Sequence, residues 1–276
     1  MLILIIIGSI LLAWLLFGYL SNFFLATTTY EIDTGGRTGE HTLAVVCDLH
    51  HWNYGRNNSR LLARIKEAGA DAVLIPGDLV VKHVCTSDKK VQRVLTFLRT
   101  LHESYPVFYS PGNHEIRMAD HENYKIELEH IGIGYADNRE LSFPDDGIRL
   151  YGLELPIEWF REKRDLSVAE LGEFLNKPEA GREGEFTILL AHDPRHFETY
   201  ADWGADLTLS GHLHGGILRL PIVGGVFSPY MRLFPKYDAG LFEKNGKRMI
   251  VSRGLGTHHV KLRWFNRPEL VVVRLK

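Results

Sequence analysis

Five apolar runs in this 276-residue chain each stop abruptly at a polar residue or a glycine–polar pair: HTLAVVCD (41–48), ADAVLIPGD (70–78), YPVFYSPGNH (105–114), FTILLAH (186–192) and ADLTLSGH (205–212). Short runs of aliphatic and β-branched residues bounded by turn chemistry are the pattern of strands buried on both faces, as in a sheet covered by helices. Helical spacing fills the gaps between them. Ser59 is placed to cap a helix carrying Leu61, Leu62, Ile65 and Ala68 on one face and ended by Gly69. A second helix is predicted from about Asp88 to His102, with Val91, Val94, Leu95, Leu98 and Leu101 along one side. Further strands are expected at 147–154, 247–254 and 269–276. Alternating strands and helices first, then strand-rich sequence, predict an α/β fold of two packed mixed sheets with helices outside.

The ends of these runs carry metal-ligand chemistry. In order they present Asp48-Leu49-His50, Gly77-Asp78, Gly112-Asn113-His114-Glu115, His192 and Gly211-His212-Leu213-His214. Taken singly, Gly-Asp or Gly-Asn is ordinary turn chemistry. As an ordered set of carboxylates, an amide and imidazoles at strand ends, they point to a two-metal hydrolytic centre. Asp and His together suit Mn, Fe(II) and Zn, whereas an all-oxygen set would suit Mg or Ca.

The combined pattern D-x-H, GD, GNH[DE], a lone His and GHxH resembles the calcineurin-like metallophosphoesterases, over roughly residues 42–276. The resemblance implies a four-layer α/β/β/α sandwich and hydrolysis of a phosphodiester or pyrophosphate bond. It also implies two divalent ions, Mn²⁺ first, with Fe²⁺ or Zn²⁺ as alternatives. By that resemblance Asp48, His50 and His214 hold one ion, Asn113, His192 and His212 the other, and Asp78 bridges them. His114 is then the catalytic imidazole, with Glu115 orienting it. His51 and Arg117 are candidate substrate contacts, as is Arg232 in the apolar stretch LPIVGGVFSPYMRLFP (220–235). That stretch is either core strand with turns or a flap that touches acyl chains or a membrane surface.

Residues 2–20, LILIIIGSILLAWLLFGYL, contain no charged side chain and are long enough to cross a hydrocarbon core of about 30 Å. A cleaved signal peptide would need a basic n-region and a small-residue cleavage site, and neither is present. A buried core helix would show a polar stripe. The expected organisation is a transmembrane helix (1–22), a juxtamembrane tether (23–40) and a catalytic domain (41–276). No Lys or Arg precedes Arg37, so charge near the span leans only weakly toward an extracytoplasmic catalytic domain.

The membrane-anchored bacterial branch of the family is suggested by HGG followed by RLP and by SRGLGT (252–257), which makes a lipid-linked or membrane-proximal substrate the expectation. UDP-2,3-diacylglucosamine, of lipid A synthesis, is the example. An extracytoplasmic phosphoprotein or small-molecule phosphatase and a non-catalytic membrane module are the alternatives. The formal charge of -2 and the lack of a basic, aromatic-interleaved run give no support to nucleic-acid binding. Two cysteines build no disulfide framework, and Cys47, inside an apolar run, reads as a buried thiol.

Overall fold

Alternation along the apolar runs sorts their side chains between two faces. In the run at 41–48, Leu43 and Val45 join one buried cluster while Ala44 and Val46 join another. The run at 186–192 divides in the same way, Ile188 and Leu190 from Leu189 and Ala191. Strands covered on both faces are the outcome the unbroken hydrophobicity predicts. Each such Leu, Ile or Val contributes about 1.5–3 kcal/mol on full burial.

The computed structural model describes the chain except for residues 145–146, 162–164, 177–183, 217, 221, 228–232 and 258–260. The first half contains α1 (Leu2–Leu20), β1 (Ala26–Ile32), β2 (His41–Val45), α2 (Ser59–Glu67), β3 (Ala72–Pro76), α3 (Lys89–His102), β4 (Val107–Ser110), α4 (His121–Ile131) and β5 (Gly134–Tyr135). The second contains β6 (Arg139–Leu141), β7 (Ile148–Leu153), α5 (Ile157–Arg161), α6 (Val168–Phe174), β8 (Phe186–Ala191), α7 (Phe197–Trp203) and β9 (Leu207–Ser210). It closes with β10 (Arg219–Leu220), β11 (Gly224–Gly225), β12 (Gly240–Lys244), β13 (Lys247–Val251) and β14 (Glu269–Leu275). One six-stranded sheet has the order β1-β14-β2-β3-β4-β5 and the other β12-β13-β9-β8-β7-β6.

The central core lies between the sheets, where Leu43, Leu74, Val271 and Val273 of the first meet Leu150, Ile188, Leu209 and Ile250 of the second. α2, α3 and α4 cover the outer face of the first sheet through Leu61, Ile65, Val91, Leu95, Tyr124 and Leu128. α6 and α7 cover the second through Leu171, Tyr200 and Trp203. This is the expected four-layer sandwich.

The predicted strands and both predicted helices are present. Ser59 is the first residue of α2 rather than its cap, because Asn58 before it takes a left-handed conformation; Asp88 does cap α3, accepting from the Lys90 N–H.

Residues 26–32 correct the expectation of a tether. They form β1, the outermost strand of the first sheet, parallel to β14 from Ala26 opposite Glu269 to Ile32 opposite Leu275. ATTTYEI alternates half-buried and exposed positions and is rich in β-branched residues, as an edge strand should be. Only Phe24 and Leu25 separate β1 from the 3-10 turn Ser21–Phe23 that ends the apolar helix.

The helical stretch Leu2–Phe23 is long and apolar enough to cross a membrane, and only 6% of its most hydrophobic window is buried. That exposure sets aside a core helix. Along α1 itself only Gly18 is buried.

Candidate metal centre

The ligand residues stand where strands of both sheets end. Asp48 and His50 follow β2, Asp78 follows β3, Asn113 and His114 follow β4, His192 follows β8, and His212 and His214 follow β9. Such crevices at carboxyl ends of strands are where open α/β sheets place their ligands. Asp48, His50, Asp78, His212 and His214 all have positive φ, between 46° and 70°. Non-glycine residues seldom adopt that region, and surrounding structure has to hold them there. Gly112 shows how tightly it does: a Cβ at that position would run into Asp78 Oδ1.

The donors converge in two adjoining groups around the Asp48 and Asp78 carboxylates. His50 Nε2 lies 3.0 Å from His214 Nε2, and the two are 3.8 and 3.6 Å from Asp48 Oδ1. On the other side, His192 Nε2 is 3.2 Å from His212 Nδ1 and 3.0 Å from Asp78 Oδ2. Asp78 Oδ2 is also 3.9 Å from both His50 Nε2 and His114 Nε2, so it reaches both groups; Asp48 Oδ1 reaches His192 Nε2 as well, at the longer distance of 3.8 Å.

The donor set fits cations. Two nitrogen ligands at a right angle, each about 2.1 Å from one ion, lie about 3 Å apart, which is the spacing of both histidine pairs. His192 Nδ1 lies 2.7 Å from the Pro76 carbonyl, to which it donates, so Nε2 is the nitrogen turned toward Asp78. Asn113 is buried, and among the described residues its Oδ1 has no hydrogen-bond partner. Cys47 Sγ donates to Asp48 Oδ2 at 3.3 Å, and burial pushes the thiol well up.

The charge balance of the centre is that of a cation site. Burial alone would raise the Asp78 carboxyl, yet His192, His114 and His50 outweigh it and hold Asp78 well below the usual carboxylate range. Burial opposes a proton on His192, but the Asp78 and Asp48 carboxylates raise this imidazole to about 10. Burial pushes Asp48 up to about 6. The two buried carboxylates thus favour positive charge between them.

The neighbouring residues divide into those that line the centre and those that brace it. His114 Nδ1 accepts from the Lys82 N–H at 2.9 Å, which assigns its proton to Nε2, the atom facing Asp78. Burial lowers the His114 pKa and favours this neutral form. Glu115 is directed at backbone. It accepts from the N–H groups of Asp78, Leu79, Val80 and Gly112 and from Tyr109 Oη, at 2.6–3.2 Å. Its carboxylate thus ties the Asp78 loop to the His114 loop, and burial pushes it up to about 7 despite these donors.

A cavity of about 120 Å³ opens on the donors, lined by Asp78, Asn113, His114, His212 and His214 together with Lys82, Arg117, Ile157, Phe160 and Arg161. Arg117 is therefore where the sequence reading expected it. His51 does not line this cavity; its half-buried ring feels Lys90, Asp88 and Arg93 around the start of α3 and His114 of the centre. Arg232 lies outside the described residues. Sequence reasoning missed Lys82, Phe160 and Arg161. Lys82 follows the GD motif by four residues and was within reach of a closer reading, whereas Phe160 and Arg161 belong to no motif and arrive through the short helix α5. The Phe160 ring packs 5.4 Å from that of His212.

A model of the calcineurin-like phosphoesterases matches residues 41–216, which contain every one of these ligands. The chain belongs to the calcineurin-like phosphoesterase family. This phosphoesterase is 26% identical to the uncharacterized metallophosphoesterase YkuE of Bacillus subtilis (strain 168), over 78% of the chain and 71% of the relative. It is 29% identical to the phosphodiesterase YaeI of Escherichia coli (strain K12), over 76% of the chain and 72% of that protein. Among solved structures, a 5'-nucleotidase precursor from Thermus thermophilus aligns with a TM-score of 0.46 and 15% identity, over 79% of the chain. The chain spans about half (49%) of that structure's length. As a calcineurin-like phosphoesterase the protein is a metal-dependent hydrolase of phosphoester bonds, and its clustered Asp and His residues suit two divalent cations.

Proposed function

We propose that the protein is a two-metal phosphodiesterase or pyrophosphatase working at a membrane surface on a lipid-linked or membrane-proximal substrate, of which UDP-2,3-diacylglucosamine is the example. Residues 1–22 anchor it, and the catalytic domain takes in β1 as well as residues 41–276, on the extracytoplasmic side. Asp48, His50 and His214 hold one cation, Asn113, His192 and His212 the other, and Asp78 is shared; Mn²⁺ is the first expectation. The observation that carries the reading is Asp78 Oδ2, within 3.0–3.9 Å of donor nitrogens from both groups.

Two bound divalent cations supply charge neutralisation at the phosphoryl oxygens and a nucleophile at neutral pH. The chain does the rest. Lys82, Arg117 and Arg161 surround the cavity and receive the non-bridging oxygens. His114 keeps its proton on Nε2 through the Lys82 N–H and offers that N–H as a hydrogen-bond donor to the phosphoryl or departing oxygen. Glu115 holds the two loops in register. At about 120 Å³ the cavity is far below the roughly 300–1,000 Å³ of pockets for drug-sized ligands, so it takes the phosphoryl centre alone. The rest of a large substrate lies outside it.

Support for the membrane side comes from the segment after the last ligands. The Arg219 N–H donates to the Trp264 carbonyl, and Trp264 stacks on Trp14 of α1, so this segment runs beside the anchor. In its described part Leu220, Ile222, Val223, Leu233 and Phe234 are exposed.

The test is product analysis with the full chain, metal-loaded in detergent micelles, on UDP-2,3-diacylglucosamine, a chromogenic aryl phosphodiester and the matching monoester. Deleting residues 1–30 would be a poor control, since it removes most of β1. Preference for the lipid-linked pyrophosphate over the soluble diester is expected. Monoester preference would replace this reading with the phosphatase one, and equal turnover of lipid and soluble diester would remove its lipid part.

A further inference from the structure

We propose that the point where α1 meets the catalytic domain is a binding site for the headgroup of an anionic phospholipid, which seats the domain on the bilayer; this rests on reading α1 as a membrane span. At about 1.5 Å per residue the 19 residues of α1 cover roughly 28 Å, close to the hydrocarbon thickness. The polar boundary of the bilayer then falls at Ser21–Phe24. Ser21 and Asn22 are the first polar, non-aromatic residues after Ser9.

Basic residues far apart in the chain gather at that boundary. Arg60 Nη2 donates to the Phe23 carbonyl at 3.3 Å, Arg267 Nε donates to the Phe24 carbonyl at 3.0 Å, and Asn22 Nδ2 donates to the Lys261 carbonyl at 3.1 Å. All three basic side chains are exposed, and among the described residues none has a carboxylate partner. Arg253 nearby is paired with Glu269.

A cleft of about 400 Å³ opens among Phe17, Ser21, Phe24, Arg253, Phe265 and Arg267. Its walls are aromatic and its rim is guanidinium, the complement of a phosphodiester headgroup attached to acyl chains. Metal-ligand clusters lie elsewhere, so the cleft is separate from the hydrolytic centre.

The surroundings of the cleft are built for the interface. Trp264 stacks on Trp14 at 5.8 Å and its Nε1 donates to the Trp14 carbonyl at 2.9 Å, while Phe265 packs 5.7 Å from Phe17. A Cβ on Gly18 would lie 2.6 Å from the Trp264 ring, so the close approach depends on glycine there. Trp264 and Phe265 lie alongside the last two turns of α1, against Trp14, Phe17 and Gly18, which at about 1.5 Å per residue stand roughly 3–9 Å from its end, the depth at which interfacial aromatics sit. The same strap reaches the metal centre: the Arg263 N–H donates to the Gly18 carbonyl at 2.9 Å, and Asn266 Nδ2 donates to the His214 carbonyl at 2.7 Å. A lipid held at the cleft thus sets the height and tilt of the cavity over the membrane.

The test is tryptophan quenching in vesicles containing the full chain. Two matched sets of phosphatidylcholine vesicles carry the same small fraction of a dibromo-acyl lipid, phosphatidylglycerol in one and phosphatidylcholine in the other. Trp14 and Trp264 flank the cleft, and Trp52 lies 5.5 Å from Phe23, while Trp159 and Trp203 are buried against the second sheet as background. Quenching by the phosphatidylglycerol is expected to exceed that by the phosphatidylcholine at least twofold, and Arg60→Gln with Arg267→Gln to equalise them while soluble-diester hydrolysis is unchanged. Equal quenching in the unsubstituted chain, or selectivity surviving the double substitution, overturns the proposal and leaves the span intact. Quenching by neither lipid overturns the span, and the proposal with it.

Discussion

The metal centre and α1 break the ordinary rule of burial in opposite directions. At the centre, Asp48, Asp78, His192 and their neighbours are charged or polar and almost wholly buried. Along α1, Leu, Ile, Phe and Trp side chains are exposed nearly throughout. Each departure names a missing solvent. Buried carboxylates with imidazoles 3.0–3.9 Å away are the arrangement a divalent cation completes, and an apolar helix without a polar face is the arrangement hydrocarbon completes. The strap at Arg263–Asn266 touches both, through the Gly18 and His214 carbonyls.

The largest way to break that contrast is Asp78→Asn. It removes the shared charge, and activity is expected to fall to background together with loss of bound metal, measured by elemental analysis of the purified protein. Retention of both metals and full turnover would refute the shared role.

Next is Glu115→Ala. It strands the amides of Asp78, Leu79, Val80 and Gly112 and the Tyr109 hydroxyl, and buried unsatisfied groups cost about 1–3 kcal/mol each. A loss of at least about 3 kcal/mol in denaturant unfolding is expected, partly recovered when metal is added. An unchanged midpoint would show that the loops hold without it.

On the other side of the comparison, Gly18→Leu pushes a side chain into Trp264. The expected cost is about 1–3 kcal/mol of overpacking, with altered near-ultraviolet circular dichroism from the Trp14–Trp264 pair. An unaltered spectrum would mean that α1 does not dock on the domain as described.

The smallest effect sharpens the meaning of a buried acid. Glu154 is largely buried and its Oε2 has no hydrogen-bond partner; burial raises its pKa to about 7, whereas Asp78, among imidazoles, is held low. Because the folded pKa lies above an unfolded value of about 4.3, Glu154 favours the fold most below pH 4.3, and that contribution is lost as pH rises through 7. Glu154→Gln is therefore expected to raise stability by up to about 2 kcal/mol at pH 8 and to leave it near the parent value at pH 4, in thermal melts at the two pH values. Equal effects at both pH values would count against the raised pKa.

The ligand segments were legible because each closes an apolar run, and strand ends in a covered sheet can point only into a shared crevice. β1 was not legible as a strand. Its partner is β14, at the other end of the chain, and an alternating Thr-rich segment beside an apolar helix reads equally well as a spacer. Lys82, Phe160 and Arg161 escaped for a related reason: a cation or a phenyl ring at a cavity wall needs no fixed spacing from the ligands.

Glu115 was recognised as part of the centre, but its role changed. The family resemblance gave it the task of orienting His114, while the fold brings the 78–80 amides to its carboxylate. Basic residues are the clearest case. Counting along the chain finds no cation near the span before Arg37, yet Arg60, Lys261 and Arg267 stand at its end once the domain is folded.

What the amino-acid order determined by itself was the covered α/β sheet, the ligand set and the apolar span, because each is written in local periodicity and in residues adjacent to it. Only the tertiary structure decided how closely the donors stand, that Lys82 and Arg161 join Arg117 at the cavity, and what meets the end of the helix. Those depend on contacts between segments tens to hundreds of residues apart, and local pattern carries no information about the distance between them.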